Sequence, residues 1–77
     1  MKNKWIEMKY DTKLESWFVN QGTRSFVMHC GESFTLKIKQ NEGIGCRLEL
    51  GSKWYIILGP EGVRLDLNPY QVYQIQF

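Results

Sequence analysis

Histidine and cysteine are scarce in this chain, and their scarcity removes several chemistries at once. It has one His and two Cys in 77 residues, Cys30 and Cys46, with no CxxC pair. A structural zinc site takes about four Cys/His ligands at close spacing, which this chain does not supply. The chain opens "MKNKWIEMKYDTK", charged from its second residue and without the apolar stretch of a signal peptide. In such a chain two cysteines are expected to stay reduced, although one disulfide between them is the alternative. No apolar run approaches the ~20 residues that span a bilayer. A soluble, cytoplasmic protein is expected, with no membrane partner.

An excess of one charge is also missing. Ten basic residues stand against eight acidic ones, a net of +2, too little by itself to imply nucleic acid. There is no phosphate-binding loop, dinucleotide fingerprint or GxSxG elbow. "GIG" and "GPEG" are short and lack a following helix to aim amide groups at a phosphate. No cofactor is expected, and no enzymatic activity.

What the chain has is alternation. Phe34, Leu36 and Ile38 point one way, while Thr35, Lys37 and Lys39 point the other. Gln40 to Gly43 supply a turn, and Ile44, Cys46, Leu48 and Leu50 form a second inward row. The two segments predict a hairpin. Further strands are expected at about Trp5–Lys9, Leu14–Val19, Thr23–His29, Trp54–Leu58, Val63–Leu67 and Val72–Phe77, with turn residues between them. Asn68 to Gln71 has room for one turn of helix. Seven or eight short, evenly spaced strands predict a single all-β domain over residues 1–77, a small SH3-like barrel or curled meander. At this length the core supplies only about 3–5 kcal/mol of net stability.

One segment breaks the alternation. In "KWYIIL" five large apolar or aromatic residues run from Trp54 to Leu58, so a strand made of them is apolar on both faces. Two readings stand. Either a neighbouring arm, such as the Trp5 strand or the Val72–Phe77 tail, covers the outer face, or the face is an exposed patch that binds something.

The segment Met28-His29-Cys30-Gly31-Glu32 has the residue types of a thiolate nucleophile with its base. Adjacent strand residues point to opposite faces, however, and a nucleophile must lie within reach of its base. A strand end entering a glycine turn, with one of the two side chains inside, accounts for it better. Glu49 and Asp66 each sit two residues from an arginine, Arg47 and Arg64, and read as sheet-surface ion pairs.

Two binding readings remain. Lys37, Lys39 and Lys53, with Arg47 close by and Trp54, Tyr55, Trp17 and Phe18 as stacking surfaces, have the ingredients of a single-stranded nucleic-acid groove. The favoured reading is a protein partner or a second copy of the chain, as in a homodimer. Its anchors would be Trp54, Tyr55 and Trp17, with Arg47 as a polar contact. The row Tyr73, Ile75, Phe77 offers an edge for strand addition.

The stretches "MHCGESFTLKI", "CRLEL" and "KWYIILG" together resemble a family of short proteins from Gram-positive bacteria and their mobile elements, the DUF5348 domains of unknown function. The family pattern is Leu-His-Cys-Gly-Glu-x-Phe-Glu-Leu, then a Trp-containing turn, an Arg-Leu-Glu strand and a Trp-Tyr strand. His29, Cys30, Gly31, Glu32, Phe34, Arg47, Glu49, Trp54 and Tyr55 match it. Met28 stands for the Leu, Thr35 for the second Glu, and "QNEGIG" for the Trp-bearing turn. The resemblance implies a compact β fold in a phage or mobile-element setting, where an accessory or anti-defence factor is expected. It implies no particular activity.

Overall fold

A computed structural model of the chain describes residues 4–77. Eight strands occupy the described residues: β1 Ile6–Asp11, β2 Ser16–Gln21, β3 Arg24–Val27, β4 Ser33–Lys39, β5 Glu42–Leu50, β6 Trp54–Leu58, β7 Val63–Asp66 and β8 Tyr73–Gln76. All pairings are antiparallel, as alternation broken by Gly, Asn and Asp corners predicts. The expected all-β class and strand count hold, but the sheet is neither a closed barrel nor a plain meander, because β8 inserts between β1 and β4. The order β3-β2-β1-β8-β4-β5-β6-β7 describes one unclosed sheet with free ends at β3 and β7. Asn68 to Gln71 forms a turn, closed by the Gln71 N–H on the Asn68 carbonyl at 3.0 Å, and not a helical one.

The sheet curls so that one face becomes the interior. Met8, Val19, Leu48, Ile56 and Ile75 are fully buried there, and Trp17, Phe34, Leu36 and Cys46 nearly so. Met28 and Leu67, just beyond the two edge strands, fold in to finish the core. Burial of such side chains is the main stabilising term for a sheet this small.

Three expected positions shift, each for a local reason. Ile38 was expected inside with Phe34 and Leu36 but is 58% exposed. A bulge between Lys37 and Lys39 inserts one residue against β5 and turns the last part of β4 over. Leu50 keeps its inward direction but runs past the core and is 49% exposed. The C-terminal row is not an edge: β8 pairs with β1 on one side and β4 on the other, and Ile75 is fully buried.

Candidate functional site

The two-faced segment lies at β6, and its faces have different covers. Trp54, Ile56 and Leu58 turn inward, against the core. Tyr55 and Ile57 turn outward and are half-buried by neighbouring charged side chains, with neither the Trp5 region nor the C-terminal tail pairing with β6. Tyr55 lies between Glu49 and Asp66 in the register, and Ile57 between Arg47 and Arg64. The Arg64 guanidinium stands 3.8 Å over the Tyr55 ring and its Nε donates to Asp66 at 3.0 Å. Arg47 pairs with Glu49 in the same way one strand over. Arg64 covers Tyr55, and the two arginines flank Ile57 in the register, positions from which long cationic side chains can shield apolar surface.

Glu49 also accepts a hydrogen bond from the Cys30 thiol at 3.4 Å. The Arg47 hydrogen bond, followed by that of Cys30, holds the Glu49 carboxyl below its usual range. His29 is engaged elsewhere. Glu32 accepts from the His29 backbone N–H and meets its ring Nδ1, both at 3.0 Å. The Cys-His segment is therefore a turn around Gly31, whose φ of 95° suits glycine. Both side chains project outward, and Met28 takes the interior place expected of one of them. Cys46 lies in the core, free like Cys30, and burial pushes its thiol up to about 11.

The proposed aromatic anchors separate. Trp17 is 1% exposed and cannot reach a partner's surface as a rim anchor. It turns inward because Met8, Tyr10 and Trp17 belong to the rows that face the core across the β1–β2 register. Trp54 and Tyr55 lie on opposite faces of one strand, and Arg47 shares the face of Tyr55. The cations do not form one row either. Lys39 pairs with Glu42 at 3.5 Å, Lys37 stands over the Trp5 ring at 5.7 Å, and Arg47 is tied to Glu49. Only Lys53 joins two of the predicted aromatics.

Those three meet in a cleft of about 500 Å³ at one end of the curl. Tyr10 and Trp17 form one wall, Leu50 and Trp54 the other. Ser52 and Lys53 come from the β5–β6 turn, Glu15 from the β1–β2 turn, Asp66 from the end of β7, and Leu67 and Pro69 from the β7–β8 connection. The Trp54 indole donates from Nε1 to the Glu15 carbonyl at 3.0 Å, a bond across 39 residues that ties the two walls together. Glu15 holds a φ of 53°, a left-handed conformation that costs a non-glycine residue about 1 kcal/mol. Tyr10 and Tyr73 each meet the Trp17 ring edge-on, with centroids at 5.4 and 5.5 Å. Trp17 Nε1 is buried and has no hydrogen-bond partner among the described residues.

Of the residues singled out from the sequence, the cleft brings together Trp17, Trp54 and Lys53, and beside them stand Tyr10, Leu50 and Glu15, which were not singled out as site residues. Tyr10 and Leu50 end inward rows, where a strand outruns its core. That position is the signal in the sequence that marks them.

The family model described as "Domain of unknown function (DUF5348)" matches residues 6–77, from the start of β1 to the last residue. This chain belongs to the DUF5348 family. No curated protein matches the sequence. This DUF5348 chain is similar to a protein from Ruminococcus gnavus whose crystal structure is known, at 22% identity and a TM-score of 0.72, over 96% of this chain and 100% of that one. At that identity the likeness carries the fold.

Among the described residues of this DUF5348 domain, no helix is long and apolar enough to cross a membrane, and no three His, Cys, Asp or Glu side chains group as a metal site.

Proposed function

We propose that this DUF5348 domain is a non-catalytic, cytoplasmic binding module. Its working surface is the aromatic cleft, which takes an apolar side chain of a partner protein together with an adjoining backbone carbonyl. The observation that carries this reading is the Trp17 indole N–H, buried in a residue of the cleft wall and left without an acceptor among the described residues. A buried donor without a partner costs about 1–3 kcal/mol, and native structures rarely leave one so. A guest carbonyl recovers that cost when the Trp17 ring, 1% exposed, turns its N–H into the cleft, while the guest's side chain covers Tyr10, Leu50 and Trp54. Small pockets with apolar walls and a few convergent polar groups are the usual form of such sites. Strained backbone, as at Glu15, gathers at functional sites as well.

The rim supports a peptide over a polyanion. Lys53 is the one basic residue of the lining, beside Glu15 and Asp66, too little positive charge to hold a phosphate backbone. A host protein bound in the cleft would also suit an accessory or anti-defence factor.

The test is the indole N–H resonance of Trp17, followed while N-acetyl-phenylalaninamide is added to the whole protein. It should shift and saturate, and Leu50→Lys, which places a charge on the exposed wall, should abolish the shift. Capture from host lysate, with nuclease and across salt concentration, should then be lost in the same variant but insensitive to nuclease and nearly insensitive to salt. An unmoved Trp17 resonance sinks the cleft reading, and capture that collapses with nuclease or salt points to nucleic acid.

A further inference from the structure

The outer edge of β7 carries an instruction for pairing that β3, the other edge, lacks. Among the described residues β7 pairs with β6 alone, and all four of its own residues are exposed. The Leu67 N–H, one residue beyond β7, donates to the Trp54 carbonyl at 3.1 Å. In an antiparallel ladder the main-chain groups alternate sides. Val63, Leu65 and Leu67 therefore turn theirs toward β6, while Arg64 and Asp66 turn theirs toward the open side. An added antiparallel strand of the same sequence can pair even positions only with even positions.

Three registers follow. Arg64 opposite Arg64 and Asp66 opposite Asp66 each set like charges face to face, which is destabilising. The third sets Arg64 opposite Asp66 twice over and is the one register with complementary charge. Its two-fold axis passes through Leu65. The two Leu65 side chains, each 40% exposed in the single chain, then meet across it on the interior side of the sheet, beside Val63 at 57%. We infer that two copies of this chain join antiparallel through β7, with Arg64 of each facing Asp66 of the other and Leu65 facing Leu65.

A pairing of this kind closes on itself, as two-fold contacts do. β3 gives no such code. The Met28 N–H goes to the Trp17 carbonyl, so Ser25 and Val27 present the open groups there, and neither carries a charge. A mixed β3–β7 contact would run on as an open chain. The β7 edge is short, so the dimer is weak and concentration-dependent. Of Arg64, Leu65 and Asp66, only Asp66 also lines the cleft.

The experiment uses sedimentation of the whole chain up to millimolar concentration, with cross-linking in a Cys30→Ser background. Opposed residues at the axis lie about 4.5 Å apart between Cα atoms, within disulfide range. Leu65→Cys should form a disulfide-linked dimer, and Val63→Cys should not. Arg64→Asp and Asp66→Arg should each weaken association about tenfold or more. An equimolar mixture of the two variants should associate again, although each chain still carries like charges within itself. That recovery separates pairing between copies from the ion pair inside one copy. A wild type that stays monomeric, a mixture that does not recover, or cross-linking through Phe26→Cys in place of Leu65→Cys overturns the inference.

Discussion

Cys46 shows how far one residue's surroundings govern its chemistry. Burial takes its thiol from the usual 9 to about 11, so the folded chain favours the protonated form. A group whose folded value lies above its unfolded one contributes fully below the unfolded value and loses that contribution as pH rises through the folded one. Stability should therefore fall between about pH 9 and 11, by on the order of 1–2 kcal/mol from this group. Urea titrations at stepped pH should show a shallower alkaline slope in Cys46→Ala, and thiol reagents should label Cys30 first. The opposite sign holds at Glu49, whose contribution is lost only as acid protonates its depressed carboxyl. Single residues were also where the sequence was least legible. In Ser16-Trp17-Phe18-Val19 alternation says that one aromatic turns in and one out. Which one depends on the register with β1, a long-range fact that no local spacing carries.

Strands were easier. Their bounds fall within a few residues of where alternation and turn chemistry put them, because both signals are local. What escaped was the bulge at Ile38, whose cause is an unequal count of residues across a pair, and the cover over Tyr55 and Ile57. Arg47 and Arg64 looked like ordinary charged decoration, and their second use as lids needs the β5-β6-β7 neighbourhood to be known. The β4–β5 hairpin gives a sharp contrast between two glycines on one strand. A Cβ on Gly43 would sit 2.5 Å from Thr35 Cγ2 and 2.9 Å from both the Leu36 carbonyl oxygen and Trp5 Cη2, whereas one on Gly45 would meet nothing within 4 Å. Gly43→Ala should cost about 1–3 kcal/mol by overpacking, while Gly45→Ala should be neutral or mildly stabilising. Urea midpoints of the two variants, compared at equal slope, decide this.

At the scale of the molecule, curling leaves the sheet open between β3 and β7, so the ladder itself does not hold the two ends together. The Trp54–Glu15 clasp joins β6 to the β1–β2 turn at the cleft end. Trp54→Phe keeps most of the ring but deletes that donor, and should lower stability by about 1 kcal/mol. Hydrogen exchange should rise in the β1–β2 turn, while β4 and β5 stay protected. Equal protection in that turn would mean the clasp is incidental. Composition and pattern made the class of fold and the strand count legible. They did not make the order legible, since the strand written last in the chain pairs in the middle.

That placement bears on how the chain is made. Until Tyr73–Gln76 clears the ribosome, β1–β3 and β4–β7 are separate ribbons, each with a raw border where β8 will sit. Such borders are templates for aggregation. The interior joins only when the last segment threads between them, a distant and therefore slow pairing. Synthesis thus leaves this small domain unfinished until β8 is made.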